Sequence, residues 1–245
     1  MLRSRGIDLD AYLALSFPKN ELFEPWQLVT HMFMHANEMH ILFNMLALWM
    51  FGSAVEGILG TKRFLILYFI AGIGAFSLHL GYDYFQYQVL IDNVVSSGIS
   101  YERLNDILTF EGTIENTKQL LDKLNSSLTQ QEINLINEKG IGDSLIESAI
   151  IYNSNMLGAS GAIMGILAAF GMLLPNAELM LIFLPIPIKA KYFIPGIILL
   201  DVFSFFTGVS IFSPSNTAFL AHIGGAITGF IVMMLWKKRN KTYYY

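Results

Sequence analysis

The stretch NMLGASGAIMG, from Asn155 to Gly165, is the part of the sequence on which the fold and the function most depend. Ser160 is the only polar side chain in the apolar segment from Met156 to Leu174. Small residues such as serine let membrane helices approach closely, and for a lone serine this packing role is the usual explanation. A catalytic role for Ser160 therefore needs partner residues elsewhere in the chain.

The overall composition is that of a membrane protein. Of the 245 residues, 54% are hydrophobic and only 14% are charged, and the mean hydropathy is +0.51. The absence of cysteine excludes disulfides, thiol catalysis and thiolate metal sites. A net charge of -4 without a basic stripe argues against nucleic acid as a partner. No metal or cofactor is predicted.

Five apolar segments are predicted to cross the lipid bilayer as helices, each of which needs ~20 apolar residues. They are residues 41–59, about 64–80, 156–174, about 193–206 and 218–236. Gly60 is expected to end the first of these helices and Pro175 the third. The fold class that follows is all-α, a polytopic transmembrane helical bundle.

Residues 83–153 have a different character and are predicted to lie in water. They are acidic, and their apolar residues recur at helical spacing. Thr129 with Glu132 and Ser144 with Glu147 have the spacing of capping boxes, which mark helix starts. The segment is predicted to be a small acidic helical insertion outside the cytoplasm.

The chain divides on these grounds into five parts. Charges scattered through residues 1–24 leave no room for a span and indicate a surface segment. The predicted parts are an outer-face N-terminal segment and interfacial loop (1–40), core spans (41–82), the insertion (83–153), core spans that carry Ser160 and His222 (154–236) and a basic cytoplasmic tail (237–245).

Positive residues set the predicted orientation, because cytoplasmic loops of membrane proteins carry an excess of Lys and Arg. The Lys62 loop, the Lys189 loop and the C-terminal tail alternate so that all three lie in the cytoplasm. The chain is therefore predicted to be a multi-pass protein of the plasma or inner membrane with a cytoplasmic C-terminus. His40, Ser160 and His222 then lie near the outer face.

His222, in the stretch AHIGGAITG, is an ionisable residue inside an apolar span, and such costly residues are functional candidates. It could act as the base that removes the proton of the Ser160 hydroxyl. Small residues four apart would bring the two helices together. They are Gly161 and Gly165 on one helix and Gly225 and Gly229 on the other. Nothing in the sequence ties an acid to His222, Asp201 included, so a Ser–His dyad is predicted.

His40 and Asn44 are four residues apart and lie on one face of the first predicted span. Both side chains can donate hydrogen bonds, as the oxyanion formed by attack on a carbonyl requires. Taken singly, Asn44 could equally form a hydrogen bond between helices, and His40 could be a residue at the membrane interface. Their occurrence together with Ser160 and His222 favours the catalytic interpretation.

Three stretches in this order resemble the rhomboid family of intramembrane serine proteases. They are HANEMHILFN at 35–44, GASGA at 158–162 and AHIGGAITG at 221–229, and the resemblance covers about residues 20–82 and 154–238. The resemblance implies a six-span core and cleavage of the transmembrane segments of single-span or polytopic membrane proteins near the outer face.

The resemblance also assigns roles to residues. It implies that Ser160 is the nucleophile and His222 its base. It further implies an oxyanion hole made of Asn44, His40 and the Ser160 backbone amide, with His35 near the site.

Some features depart from the family pattern. Five of the six spans are visible in the sequence, and the first would precede Arg3. Trp26-Gln27 stands where the family usually has Trp-Arg, and Met164 stands where it often has an aromatic residue that stacks on the histidine. Ala162 replaces the second glycine of the elbow of soluble hydrolases, so GASGA is a different motif.

Two other functions stay open at this point. One is a membrane metalloenzyme that uses His31, His35 and His40, since two histidines four residues apart can bind metal, with Glu38 as the only carboxylate in the cluster. The other is a catalytically inactive rhomboid-like protein with a truncated core, which binds membrane helices without cutting them. Such a protein is expected to lose the serine or the histidine, and this chain keeps both.

Overall fold

The structure, a computed structural model, describes residues 9–109, 117–181, 184–209 and 219–239 and is built mainly of α-helices. Several sequence predictions fall outside the described residues. They concern the place of a span before Arg3, residues 110–116 of the insertion, Ala218 at the start of the last span and residues 240–245 of the basic tail.

The described helices follow one another with short strands between them. The helices are α1 (Leu9–Leu13), α2 (Gln27–Thr30), α3 (Glu38–Ala47), α4 (Ser53–Leu59), α5 (Thr61–Ser96), α6 (Tyr101–Leu108), α7 (Thr117–Ser127), α8 (Gln130–Lys139), α9 (Gly142–Tyr152), α10 (Ser160–Leu173), α11 (Ala190–Thr207) and α12 (Phe219–Arg239). The strands are β1 (Leu15–Ser16) paired with β2 (Asn155–Met156), and β3 (Glu178–Leu181) paired with β4 (Leu184–Lys189), both antiparallel.

Among the described residues, four helices are long and apolar enough to cross a membrane. They are Glu38–Leu59, Thr61–Ser96, Ala190–Thr207 and Phe219–Lys238. The first is one continuous helix because a π-helical turn joins α3 to α4, and it ends at Gly60 with φ +78° as predicted. The all-α polytopic bundle is therefore confirmed.

The predicted third span, 156–174, is shorter than expected. Its helix, α10, has 14 residues, or ~21 Å of length against the ~30 Å hydrocarbon core of a bilayer. The chain is extended at β2, and Gly158 has φ +125°, so the helix cannot begin before Ser160. All ten residues from Gly161 to Phe170 are buried, so this short helix packs against protein along its length.

One compact unit contains Met32–His79 and Leu157–Tyr245. Helix α10 packs against α11 and α12 and against α4 with its adjoining π turn. The outward faces of the long helices expose large apolar side chains, including Trp49 at 70%, Leu199 at 66% and Leu235 at 58%. Apolar faces of this kind are unfavourable in water and favourable against lipid.

Helix α5 is longer than the predicted span, which was expected to end near Leu80. It continues to Ser96 because no proline interrupts it, and Tyr87, Ile91 and Val94 form one buried face of its last turns. These residues belong to a second compact unit, Met1–His31 with Leu80–Met156. Its apolar core also contains Phe17, Ile99, Leu104, Ile107, Leu108, Leu120, Leu124, Ile136, Leu145, Ala149 and Tyr152.

Of the two capping boxes predicted in the insertion, one is confirmed and one is wrong. The Thr129 capping box is confirmed, because both of its reciprocal hydrogen bonds with Glu132 are present at the start of α8. The Ser144 capping box is wrong. Helix α8 ends at Gly140 in the left-handed conformation, and α9 begins at Gly142, so Ser144 lies inside the helix that it was expected to cap.

The N-terminal segment contributes buried residues rather than surface alone. Leu15 and Phe17 are at most 1% exposed, and β1 pairs Leu15 with Met156. The side chain of Gln27 is fully buried and makes four hydrogen bonds, all to backbone groups. Its Oε1 accepts from the N–H groups of residues 16 and 24, and its Nε2 donates to the carbonyls of residues 11 and 22.

Candidate active site

Ser160 is the first residue of α10, and the geometry of Gly158 shapes the space beside it. A Cβ atom placed on Gly158 would lie 2.9 Å from Nε2 of His40 and 3.8 Å from Oγ of Ser160. With φ +125°, the position also favours glycine for its backbone alone. A side chain here would collide with the His40 ring, so glycine lets the backbone pack closely against His40 next to the Ser160 hydroxyl. The sequence did not mark Gly158 as a site residue, although it lies inside the quoted GASGA stretch.

The His40 ring is held by the turn that starts α3. Asn37 caps the helix by accepting a hydrogen bond from the His40 backbone N–H at 2.9 Å. The backbone N–H of Ala36 donates to Nδ1 of His40 at 3.3 Å. Because Nδ1 accepts, a neutral ring carries its proton on Nε2, the atom beside Gly158. His40 therefore places an N–H donor beside Gly158, near the Ser160 hydroxyl.

Asn44 lies one turn further along α3 and is only 7% exposed. Its Nδ2 is buried and makes no hydrogen bond within the described part of the chain. A buried donor left unpaired costs ~1–3 kcal/mol, so such a group is a candidate ligand contact.

His35 packs edge-on against His40, with ring centroids 5.1 Å apart at 76°. Its Nε2 is also buried without a hydrogen bond to any described residue. Burial lowers the pKa of His35, and a backbone hydrogen bond at Phe33 opposes this only in part. His35 therefore contributes a neutral ring beside His40 at pH 7.

His222 is hydrogen-bonded to an acid that the sequence did not connect to it. Its Nδ1 lies 3.1 Å from Oδ2 of Asp201 on α11, and the two side chains are 13% and 9% exposed. An acid inside an apolar span is costly, and this cost was the available signal that Asp201 has a role. Its partner was not visible because the two residues belong to different helices.

The four predicted glycines lie along the contact between α10 and α12. A Cβ on Gly165 would lie 2.9 Å from the carbonyl oxygen of Gly225. Cβ atoms on Gly225 and Gly229 would press against the carbonyl oxygens of Gly161 and Gly165, respectively. The two backbones are therefore in direct contact, which only glycine allows.

The same contact brings the helix starts together. A Cβ on Gly161 would lie 3.4 Å from the carbonyl oxygen of Ala221, so Gly161 and Ala221, the neighbours of Ser160 and His222, lie close together. The Ser160 hydroxyl makes no hydrogen bond to His222 or to another described side chain. Catalytic hydrogen bonds are often long in a site without substrate and tighten when it binds.

Met164 and His31, which the sequence analysis named as a departure from the family pattern and as a possible metal ligand, have structural positions. Met164 is a core residue of α10 at 6% exposure, and no aromatic ring among the described residues stacks on His222. His31 is buried, its Nδ1 lies 2.7 Å from the Gln27 carbonyl oxygen, and burial lowers its pKa. Within the described ranges, no three His, Asp or Glu side chains come together in a way that could hold a metal ion.

Comparisons with known proteins match this sequence to one family. A family model described as Rhomboid domain matches residues 22–101 and 133–239. The rhomboid proteases GlpG of Salmonella newport (strain SL254) and Salmonella heidelberg (strain SL476) are each 42% identical to this chain over 62 residues. The match covers 25% of this chain and 22% of the length of each of these relatives. No solved structure matches the chain.

Proposed function

Since the chain belongs to the rhomboid family, we propose that it is an intramembrane serine endopeptidase that cleaves transmembrane segments of other membrane proteins. The observation that carries the proposal is that Nε2 of His40 and Oγ of Ser160 both lie within 4 Å of the point where a Cβ on Gly158 would stand. A hydrogen-bond donor and a hydroxyl nucleophile therefore lie beside the same glycine, so that a peptide carbonyl bound next to them would meet both.

In the first step, Oγ of Ser160 attacks the carbonyl carbon of the scissile peptide bond. The hydroxyl proton passes to Nε2 of His222, and the carbonyl π electrons move to the oxygen. Nε2 is the nitrogen available for this proton because Nδ1 is engaged by Asp201. The position of Ser160 at the N-terminus of α10 also stabilises the negative charge that develops in this step.

The oxyanion is stabilised by donors that are already in place. We assign this role to Nε2–H of His40, Nδ2 of Asn44 and the backbone N–H of Ser160. The buried and unpaired state of Asn44 Nδ2 supports the assignment, because a donor fixed before the reaction needs no reorganisation.

The intermediate collapses by breaking the C–N bond, and the leaving amine takes the proton from His222. An acyl group then remains esterified to Oγ of Ser160. His222 removes a proton from a water molecule, whose oxygen attacks the acyl carbon. The second intermediate releases a carboxylic acid, and Ser160 recovers its proton from His222.

The chain is a multi-pass membrane protein, given its four apolar helices and its family. Because α10 is only ~21 Å long against a ~30 Å core, at least one of its ends lies below a membrane surface, and the proposed reaction requires that this end be Ser160, within reach of water from that side. The positive residues Lys62, in the first turn of α5, and Lys189, at the end of β4, support a cytoplasmic C-terminus with Ser160 near the outer face. Single-span or polytopic proteins are the proposed substrates.

The test is cleavage of a single-span reporter by the purified chain in lipid vesicles. Ser160→Ala and His222→Ala are each expected to abolish cleavage, whereas Ser53→Ala, which changes an exposed serine, retains it. Cleavage that survives both site substitutions would refute the dyad, and loss on adding a chelator would favour the metalloenzyme. Reporter binding without cleavage by the intact chain would favour a helix-binding protein.

A further inference from the structure

We propose that Asp201 is a positioning residue for His222, so that the site operates as a Ser–His–Asp arrangement rather than a Ser–His dyad. This inference rests on the proposed protease function and deepens it. The observation that carries it is the contact of 3.1 Å between Nδ1 of His222 and Oδ2 of Asp201.

The chemistry of the contact determines which nitrogen of His222 carries the proton. An ionised carboxylate only accepts hydrogen bonds, so Nδ1 must donate to Asp201. A neutral imidazole has one N–H, which leaves the lone pair on Nε2. Nε2 is the atom that must accept the proton of Ser160, so Asp201 holds His222 in the tautomer that the reaction requires.

The carboxylate also assists the charged stage of the reaction. When His222 takes the proton from Ser160, its ring becomes positive next to Asp201. Both side chains are largely withdrawn from water, at 13% and 9% exposure. A fixed negative charge 3.1 Å away stabilises the imidazolium more strongly in such surroundings than in water.

The surroundings of His222 offer few other means of fixing its ring. No described aromatic ring stacks on it. His40 lies within electrostatic range of His222 and His35 lies next to His40, but the Nδ1 of His40 is already engaged by the Ala36 amide. The sequence of α10 contains no titratable side chain. Asp201 is therefore the group on α11 that sets the orientation of the base.

Steady-state kinetics in vesicles provide the first measurement. Asp201→Asn and Asp201→Ala are expected to lower kcat by ~10²–10⁴ with a smaller change in KM, as loss of the orienting carboxylate does in serine proteases. Asp201→Glu keeps the charge and should retain more activity than Asp201→Asn. Ser204→Ala is the matched control, because Ser204 is also buried on α11 and has no hydrogen bond to His222.

Nitrogen-15 NMR of histidine-labelled protein provides a second measurement that does not depend on catalysis. In the intact chain His222, assigned by its loss in His222→Ala, is expected to be protonated at Nδ1 when neutral. Asp201→Ala should convert this signal to a mixture of tautomers, and Ser204→Ala should not.

The two measurements separate the inference from the proposed function. Unchanged kcat in Asp201→Ala, or an unchanged His222 tautomer, would overturn the positioning role even if the intact chain is an active protease. An intact chain that cuts no reporter, but whose His222 tautomer depends on Asp201, would refute the proposed function while the contact stands.

Discussion

Gln27 and Asn44 are two buried amides, one in each compact unit, and their hydrogen bonding differs. Gln27 is fully buried, and its oxygen and nitrogen each make two hydrogen bonds to backbone groups. Asn44 is 7% exposed, and its Nδ2 makes none within the described residues. A satisfied amide holds a loop together, whereas an unsatisfied one is a donor in place for a ligand. Hydrogen bonding, and not burial, separates the structural amide from the candidate catalytic one.

Asn44→Ala provides the most demanding test of this contrast. Removal of one oxyanion donor is expected to lower kcat by ~10²–10³. The thermal midpoint of unfolding should stay level or rise, because an unsatisfied buried group is lost. Reporter cleavage and thermal unfolding measure the two effects. A fall in stability together with unchanged kcat would mean that Asn44 is a structural amide like Gln27.

Gly225→Ala tests the contact between α10 and α12, which is made by backbone atoms and needs no polar side chain. The added methyl would press on the carbonyl oxygen of Gly161, and overpacking of this kind costs ~1–3 kcal/mol in unfolding free energy. Cleavage should fall with it, since the same contact brings the two helix starts together. The matched control is Gly57→Ala on α4, where a Cβ would meet nothing within 4 Å. Equal stability of the two variants would contradict the close approach of α10 and α12.

Gln27→Ala should destabilise the other compact unit, the one that contains Gln27. It leaves the buried N–H of Ser16 without an acceptor, at a cost of ~1–3 kcal/mol. Amide hydrogen exchange should speed up at Ser16 and in its partner strand β2, and proteolysis near Leu22 should become easier. Tyr12→Ala, at a residue 57% exposed in the same segment, serves as the control. Unchanged exchange at Ser16 would show that Gln27 does not organise the segment.

The smallest effect concerns Glu132 at the start of α8. The hydrogen bonds of Arg103 lower the pKa of Glu132 from 4.5 to about 2. Because the folded pKa is the lower one, the contribution to stability is present above pH 4.5 and is lost as the pH falls toward 2. Arg103 is 36% exposed, so the gain is below ~1 kcal/mol.

The thermal midpoint at pH 5 and pH 3 measures this effect. Arg103→Met should lower the midpoint at pH 5 and lower it by roughly half as much at pH 3, because Glu132 with a pKa of about 2 is still mostly ionised there. Lys139→Met is the control, because its partner Glu138 is 72% exposed and the pair contributes little. A pH-independent effect of Arg103→Met would show that the arginine acts through packing alone.

Local signals predicted much of the fold. The apolar segments predicted membrane helices, Gly60 marked a helix end, and Thr129 with Glu132 marked a helix start. Signals failed where neighbouring structure overrode them. Ser144 has capping-box spacing, but the turn at Gly140 starts α9 too early for it to cap. The predicted end near Leu80 failed because later turns of α5 have a core of their own to pack against.

The candidate site also contains residues that the sequence could identify and a contact that only the structure showed. Ser160, His222, His40 and Asn44 could be named from residue type and spacing, because a polar group in an apolar helix is costly and therefore conspicuous. The sequence did not connect Asp201 to His222, since they lie 21 residues apart on separate helices.

The linear chain was sufficient for the class of protein and for the polar residues inside its membrane helices, because hydropathy and helical spacing are local properties. Packing in three dimensions decided the rest: the short α10, the close packing of Gly158 against His40, the unpaired donor of Asn44 and the Asp201 contact with His222. These depend on which helix faces meet and how closely two backbones approach. Distance along the chain carries no information about either.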